Sequence, residues 1–293
     1  MPVRQLCEFA PAKINLTLEI LGRRRDGFHE LRSLVVFADV GDMLSLDPAR
    51  PPSVTVSGPF ASGLVGTNIL DRALALLKER APHLKLGAVH LEKMLPVAAG
   101  VGGGSADAGA LLRVVRRANG GAAADVDWHG IAQELGADVP VCFEARPLWM
   151  TGTGHVLCDI EGGVPSLHAV IANPMAAVPS DKTAQVFRAL SAVPLDEGAS
   201  FALAPPVFAD REAVVAFARA QGNHLEPAAQ AVVPETGAVL RELYGFPDVE
   251  YVAVSGAGPT VFGIFPNALA ADAARQKLAT THPAWWTVAA KLG

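Results

Sequence analysis

The chain has 293 residues, of which 51% are hydrophobic and 18% are charged, and its net charge is −5 with an isoelectric point near 5.9. This length suits two domains, and the composition supports a large core, which excludes a wholly disordered chain. The negative net charge argues against a broad nucleic-acid surface, because such a surface needs a basic face. No run of about 18 uninterrupted apolar residues occurs, which argues against a transmembrane helix.

The start of the chain, MPVRQLCEFAPAKINL, lacks the apolar core of a secretory signal, so we expect a cytoplasmic protein. The cysteines are too few and too widely spaced for a disulfide framework or a zinc pattern. We expect each of them to be a small buried hydrophobe: Cys7, Cys142 and Cys158. The eight histidines show no metal-ligand spacing.

The first part of the chain predicts mainly strands. Apolar and polar residues alternate over 9–22, which is typical of a half-buried strand. A basic turn follows at 23–30. Further strands are predicted at 33–41, 43–47, 53–58 and 88–97. A helix is predicted at 68–82, where apolar residues recur at helical spacing and Pro82 follows the last of them.

The rest of the chain predicts helices and strands in alternation. One helix is expected over 106–121, with Ser105 as its N-cap and a glycine pair at its end. Further helices are predicted at 125–136, 181–191, 211–222, 234–245 and 268–282, strands at 168–174 and in the two arms of 249–266, and a loop with strands at 137–156. The stretch 161–165 is the expected boundary between an N-terminal domain, residues 1–160, and a C-terminal domain, residues 161–293.

The sequence VAAGVGGGS at 97–105 joins a predicted strand to a predicted helix. A helix N-terminus carries about half a positive charge, and glycines let phosphate oxygens approach its free N–H groups. The segment lacks the lysine of a Walker A loop, and no register fits the G-x-G-x-x-G dinucleotide fingerprint. The HRD and DFG motifs of protein kinases are absent as well. The pattern predicts a phosphate site of another kind, with an ordinary tight turn as the alternative.

Four blocks of sequence resemble one family. The segment 96–108, PVAAGVGGGSADA, resembles the central motif of the GHMP kinases. Residues 10–31, 136–143 and 254–262 are similar to motifs of the branch that acts on a cytidine diphosphate compound of methylerythritol. The resemblance implies an α/β (α+β) fold with an N-terminal ribosomal S5-like domain and a C-terminal ferredoxin-like domain. It also implies transfer of the γ-phosphate of ATP, with Mg²⁺, to the 2-hydroxyl of the methylerythritol moiety, in the non-mevalonate isoprenoid pathway.

Within this resemblance, Asp138 is the expected catalytic base, and Lys13 is its expected partner. A carboxylate can accept the proton of the reacting hydroxyl, and a nearby ammonium keeps that carboxylate ionised. Taken alone, Asp138 is better explained as a helix cap, and Lys13 as a solvated strand residue; the surrounding resemblance reverses this preference.

The resemblance also assigns residues to ATP. Those expected to hold its phosphates are Gly100, Gly102, Gly103, Gly104 and Ser105. The Ser105 hydroxyl is a candidate contact for phosphate or Mg²⁺, while Asp107 is either a second metal ligand or an acidic residue in the first turn of the helix. Asn68 and Lys93 are expected near the adenine pocket.

A third group is expected to bind the alcohol substrate. Phe28 and His29 resemble a clamp for cytosine, because aromatic rings stack on any base. The family usually has Tyr where this chain has Phe28, so a phenol hydrogen bond is lost. The remaining candidates are Asn15, which would orient the substrate, Thr183, and Phe187 as the other wall. A phenylalanine on a helix is otherwise a core residue.

The alternatives are a kinase for a smaller alcohol such as homoserine, a decarboxylase of the mevalonate-diphosphate type, and a nucleotide-binding module without catalysis. The aromatic clamp argues against the first two, and the presence of both Asp138 and Lys13 argues against the third. Gly256 and Gly258 form either a second glycine loop beside the phosphate site or a plain hairpin turn. We expect a small-molecule substrate, no nucleic acid, no membrane, and a monomer or weak dimer.

Overall fold

A computed structural model describes residues 5–64, 68–195 and 204–293. The strands of this part of the chain are β1 (Leu6–Asn15), β2 (Glu19–Arg23), β3 (His29–Asp47), β4 (Ser53–Ser57), β5 (Ala88–Glu92), β6 (Leu148–Gly152), β7 (Val156–Cys158), β8 (Leu167–Asn173), β9 (Tyr251–Val254), β10 (Val261–Phe265) and β11 (Trp286–Leu292). Its α-helices are α1 (Ile69–Arg80), α2 (Gly103–Asn119), α3 (Trp128–Leu135), α4 (Val139–Glu144), α5 (Lys182–Leu190), α6 (Arg211–Gln221), α7 (Glu226–Val232), α8 (Glu235–Tyr244) and α9 (Ala268–Thr281).

The chain divides into two compact units that interleave along the sequence. Unit 1 contains the chain up to Lys13, Val40–Val97 and Gly102–Ala145. Unit 2 contains Ile14–Asp39, Ala98–Val101 and Arg146–Gly293. The predicted division at 161–165 follows chain order and falls between β7 and β8, inside unit 2, whereas β1 and β3 each supply residues to both units.

Unit 1 combines a small sheet with four helices. The second part of β3 pairs antiparallel with β5, and β4 runs parallel to β5. Helices α1 to α4 pack against one another. Helices α2 and α4 approach each other closely at Gly109, where an added Cβ atom would lie 2.6 Å from the carbonyl carbon and oxygen of Cys142. Only glycine allows the two helices to approach so closely.

Unit 2 is built on antiparallel strands. Strand β8 lies between β10 and β11, and β9 extends the order beyond β10. Every residue of β9 and β10 is buried, as in strands covered on both faces, and α8 and α9 pack on them and on their neighbours. The first part of β3 pairs antiparallel with β2 and β6 in the same unit.

Several elements differ from those predicted from the sequence. The strands predicted at 33–41 and 43–47 are one strand, β3, because Gly41 marks a close approach rather than a turn: its Cβ would lie 2.2 Å from the carbonyl oxygen of Ala10. Helix α4 was expected as loop and strand, and its residues Val139–Phe143 are all buried, so no polar face revealed a helical period. Helix α7 and strand β11 were not predicted.

The cysteines differ from the expectation in one respect. Cys142 is buried, as predicted, and its burial raises the pKa of its thiol to about 12. Cys158 is half-buried, so the prediction of burial is met only in part there. Cys7, near the start of β1, is exposed, so the prediction was wrong for it. None of the helices in the described ranges is both long enough and apolar enough to cross a bilayer.

We expect Gly109→Ala to destabilise the protein by about 1–3 kcal/mol, because the added methyl group overpacks the contact between α2 and α4. The loss should appear although alanine favours a helix by up to about 1 kcal/mol over glycine. Urea denaturation measures the free energy of unfolding. Gly121→Ala is the control, since no heavy atom lies within 4 Å of its Cβ position, and it should change stability by at most about 0.5 kcal/mol. Equal stability of the two variants would contradict the packing described above.

Candidate active site

Lys13 and Asp138 form an ion pair in unit 1. The Lys13 Nζ atom lies 2.8 Å from Oδ2 of Asp138, with the lysine side chain 4% exposed and the aspartate side chain 39% exposed. Asp138 occupies the N-cap position of α4, yet its side chain makes no capping hydrogen bond. The carboxylate is therefore directed to Lys13 and partly open to solvent, an arrangement that suits a proton acceptor. Lys13 is buried on β1 rather than solvated.

Arg113 on α2 connects the two segments that bear the ion pair, because it contacts both β1, which contains Lys13, and α4, which begins after Asp138. Its Nη2 atom donates to the carbonyl of Phe9 on β1 (2.6 Å), and its Nη1 atom donates to the carbonyl of Cys142 on α4 (2.6 Å). Its Nε atom donates to Glu8 at 2.7 Å. The guanidinium thus holds β1 and α4 in fixed register. Sequence reasoning missed Arg113, since nothing in a helical arginine indicates which carbonyls it meets.

The glycine segment begins α2 earlier than predicted. Gly102 is the N-cap residue, with a left-handed φ of 64°, and the helix starts at Gly103. Ser105 lies in the first turn, so its prediction as the N-cap was wrong: the positive φ open to glycine at Gly102 lets the helix begin three residues sooner than a serine cap at position 105 would. The first N–H groups of α2 have no acceptor within the helix. The residues at this turn, Gly102, Gly103 and Gly104, have no side chains of their own that would cover these groups.

Lys13 lies next to this helix start. A Cβ atom on Gly102 would be 3.0 Å from the Cβ atom of Lys13. The ion pair and the N-terminus of α2 are therefore neighbours within unit 1. This juxtaposition places a carboxylate that can accept a proton near a turn that favours anions.

Lys93, which follows β5, is held in a buried ion cluster. Its Nζ atom donates to Oδ2 of Asp107 at 2.7 Å and also donates to Asp42. The other Asp42 oxygen accepts the N–H groups of Met94 (2.6 Å) and Leu95 (2.8 Å). All three charged side chains are at most 2% exposed. The sequence predicted Lys93 near adenine, but it did not reveal Asp42 or this cluster.

The cluster contains two carboxylates and one ammonium. Burial raises the pKa of Asp107, and the neighbouring Asp42 raises it further, while Lys93 lowers it without cancelling the rise. Burial lowers the pKa of Lys93, but the two carboxylates outweigh that effect and leave it raised. Asp107 lies in the second turn of α2, so its prediction as an acidic residue of the first turn was wrong. One of its oxygens is already bonded to Lys93, and the other is buried without a partner.

Asn68 caps helix α1, since its Oδ1 atom accepts the N–H of Leu70 at 3.1 Å. This contact gives the side chain a structural role in addition to the predicted one near adenine. Within the ranges that the structure describes, no group of three or more His, Cys, Asp or Glu side chains could hold a metal ion.

The second glycine turn meets Gly100 inside unit 2. A Cβ atom on Gly100, whose φ is 85°, would lie 2.4 Å from the carbonyl oxygen of Gly258. The N–H of Thr260 donates to the carbonyl of Ala99 at 3.0 Å. The turn at Gly256–Gly258 is therefore more than a hairpin connection, because it packs on the first residues of the glycine segment.

The residues predicted to bind the alcohol substrate lie in unit 2, and the structure brings some of them together. The rings of His29 and Phe187 are 4.7 Å apart. Burial lowers the pKa of His29, and Arg23 lowers it further, which favours the neutral imidazole. Phe28 does not join this pair: its side chain is exposed, as is Thr183 on α5.

Asn15 is buried at the end of β1. Its Nδ2 atom donates to Ser33 at 2.9 Å, and its Oδ1 atom has no partner although it is buried. The same oxygen lies 3.2 Å from the Cβ position of Gly256. A buried acceptor without a donor is unusual, and it supports the prediction that this amide contacts a ligand.

Comparisons with known proteins identify the class of fold. Models described as the GHMP kinases N terminal domain and GHMP kinases C terminal match residues 68–145 and 210–284, respectively. The fold is thus that of the GHMP kinases, which confirms the predicted mixed α/β class.

The relatives narrow this class. The 4-diphosphocytidyl-2-C-methyl-D-erythritol kinase of Dinoroseobacter shibae is 45% identical, over 97% of this chain and 93% of its own. The enzyme of the same name from Rhodopseudomonas palustris strain CGA009 is 44% identical, over 97% of this chain and 96% of its own. A crystal structure of a 4-(cytidine 5'-diphospho)-2C-methyl-D-erythritol kinase superposes with a TM-score of 0.74 and 30% identity, covering 98% of this chain and 99% of that one. The chain belongs to the 4-diphosphocytidyl-2-C-methyl-D-erythritol kinase family.

A homoserine kinase from Cytophaga hutchinsonii shares the fold alone, with a TM-score of 0.64 and 17% identity over 99% of this chain and 94% of that one.

We expect Lys93→Met to cost about 3–5 kcal/mol of stability at neutral pH, because it leaves Asp42 and Asp107 buried without a cation. Urea denaturation measures the loss. It should shrink as the pH falls, since protonated carboxyl groups no longer carry the unpaired charges. The matched control is Lys78→Met, which removes an exposed lysine from α1 and should change stability by at most about 0.5 kcal/mol. If Lys93→Met left the free energy of unfolding unchanged, the stabilising role of the cluster would be contradicted.

Proposed function

We propose that this protein transfers the γ-phosphate of ATP to the 2-hydroxyl of 4-diphosphocytidyl-2-C-methyl-D-erythritol, in isoprenoid precursor synthesis. The observation that carries the proposal is the Lys13–Asp138 pair beside the glycine-rich start of α2. Family membership supplies the identity of both substrates. We further propose that it acts on this small molecule as a monomer or weak dimer in the cytoplasm, without nucleic acid.

In this proposal Asp138 accepts the proton of the substrate hydroxyl. A tertiary alcohol is a poor nucleophile at neutral pH, so a positioned acceptor assists attack on the terminal phosphorus. Lys13, whose Nζ atom lies 2.8 Å from this carboxylate, offers a positive charge to the reacting oxygen. Phosphoryl transfer depends mainly on positioning and on stabilising charge, so these two groups are the chemical machinery that the reaction requires.

The residues present fit ATP and Mg²⁺. The bare backbone at Gly102–Gly104 and the unpaired N–H groups of α2 suit phosphate oxygens. Mg²⁺ prefers oxygen ligands and takes few from the protein when phosphates supply the others, so the Ser105 hydroxyl would suffice. When bound, Mg²⁺ would neutralise charge on the phosphates. Asp107 is a poorer candidate for the metal, because Lys93 already occupies one of its oxygens.

The contact between His29 and Phe187 favours a cytidine compound over a smaller alcohol. Two rings 4.7 Å apart, one of them a neutral imidazole, provide an aromatic surface and a hydrogen-bonding group for a pyrimidine. A small amino-acid alcohol needs no such surface. We propose that Asn15 orients the methylerythritol moiety, and that Phe28 and Thr183 contact the substrate once it is bound.

A coupled assay of ADP release with Mg-ATP tests the function. We expect turnover with 4-diphosphocytidyl-2-C-methyl-D-erythritol and none with homoserine or mevalonate. Turnover with one of the other alcohols would support a phosphotransferase but would contradict the proposed acceptor substrate. Release of carbon dioxide during turnover would indicate a decarboxylase instead. No turnover with any of the three would contradict the proposal.

For Asp138→Asn we expect kcat to fall by about 10²–10⁴-fold, because the amide cannot accept the proton. Lys13→Met should also lower kcat. The fold should persist in the Asp138 variant, since that side chain makes no capping hydrogen bond. The control is Asp125→Asn, an exposed aspartate of the same unit, which should keep full activity. Thermal unfolding and ATP binding are measured on each variant, and full activity of the Asp138 variant would remove its assignment as the base.

A further inference from the structure

Lys182 is a buried lysine to which the reaction described above gives no role. It is the first residue of α5, and only 6% of it is exposed. Its ammonium donates to the carbonyl oxygen of Gly258. Among the residues that the structure describes, no carboxylate forms an ion pair with it. Burial alone accounts for the lowering of its pKa to about 8.

The charged groups around Lys182 are occupied elsewhere. On its own helix, Asp181 pairs with Arg188 and also accepts from Gln185. On α7, which packs against α5, Glu226 accepts the N–H of Val254 at 3.4 Å, and burial raises the pKa of its carboxyl group. The Lys182 ammonium therefore has a neutral carbonyl as its partner and lacks a counter-charge. An ammonium buried in this way is costly unless an anion completes its environment.

The position of Lys182 indicates which anion that is. The carbonyl oxygen that it contacts, on Gly258, is the same atom that lies 2.4 Å from the Cβ position of Gly100. Gly100 begins the glycine segment, and no side chain extends from it. The Gly258 carbonyl occupies the space that a side chain on Gly100 would take, so Lys182 lies at the contact between these two backbone segments of unit 2. Among the described residues, its ammonium has no carboxylate partner there. A phosphate group would supply the missing negative charge and could accept the N–H groups of the ammonium that the Gly258 carbonyl does not use.

We propose that Lys182 binds phosphate oxygens of a substrate, beside Gly100 and the turn at Gly256–Gly258. The inference rests on the proposed function, in which either of two substrates could provide the phosphate oxygens. One is the terminal phosphate of ATP, and the other is the diphosphate of the cytidine substrate. The alternative is a structural lysine whose only task is to hold the Gly258 carbonyl.

Calorimetric titration of the full chain separates these possibilities. The titrants are a non-hydrolysable ATP analogue with Mg²⁺, 4-diphosphocytidyl-2-C-methyl-D-erythritol, and inorganic pyrophosphate. Each is measured near pH 8 in two buffers of different ionisation enthalpy, which reports proton uptake. We expect uptake on binding to the wild-type protein, because a phosphate beside Lys182 raises the pKa of its ammonium again.

For Lys182→Met we expect the affinity for one of the two substrates to fall about ten- to a hundredfold, as for loss of a hydrogen bond between charged groups. The substrate whose affinity falls identifies the source of the phosphate. The proton uptake should vanish for that substrate. Lys182→Arg should restore affinity without restoring uptake, since arginine is always charged. Lys291→Met, an exposed lysine of the same unit, is the control and should bind both substrates normally.

Unchanged affinity and unchanged uptake in Lys182→Met, with or without a loss of thermal stability, would overturn the proposal and leave a structural lysine. If the wild-type protein bound neither substrate, the proposed function would fail separately. Pyrophosphate then decides the case of Lys182: weaker binding in Lys182→Met would support the phosphate site, and equal or absent binding would reject it.

Discussion

A buried ammonium shared by two carboxylates anchors the N-terminal part of helix α2 to the strands beside it. Lys93 follows β5, Asp42 lies on β3, and Asp107 lies on α2, so a single cation connects three separate segments of unit 1. Asp42 also fixes the backbone just beyond Lys93 through two N–H groups. Because hydrogen bonds to charged groups are directional and strong in a dry interior, the cluster leaves the start of α2 little freedom. The ion cluster thereby helps to hold the glycines at the start of α2, Gly102–Gly104, in place.

The Lys13–Asp138 pair depends in turn on how closely α4 can approach α2. Gly109 removes the side chain that would separate the helices, and Arg113 bridges the carbonyl of Cys142 on α4 to that of Phe9 on β1. A pair whose atoms are 2.8 Å apart tolerates little displacement, because proton transfer and charge stabilisation both fall steeply with misplacement. Residues outside the proposed catalytic pair therefore set its geometry.

The sequence revealed the residues whose chemistry is local and missed those whose role depends on the fold. Lys13, Asp138 and the glycines could be found because they lie in compact motifs, and the family follows from the same motifs. Asp42, Arg113 and Lys182 could not, because their partners lie far away along the chain. The prediction of Ser105 as a cap failed for a related reason. Serine is a common N-cap residue, but the left-handed φ of Gly102 lets the helix begin three residues earlier. Helix α4 was missed because all sides of its apolar run are buried.

Among the described residues, the buried lysines illustrate how surroundings decide the use of one chemical group. Lys93 has two carboxylate partners, so its charge is fully committed to structure. Lys13 has one carboxylate partner, Asp138, whose side chain is 39% exposed. This pair therefore remains accessible to a bound ligand. Lys182 has only a carbonyl, and burial lowers its pKa to about 8. The fewer carboxylates a buried ammonium meets, the more a bound anion stabilises it. The same argument that makes Lys93 a structural residue therefore makes Lys182 a binding residue.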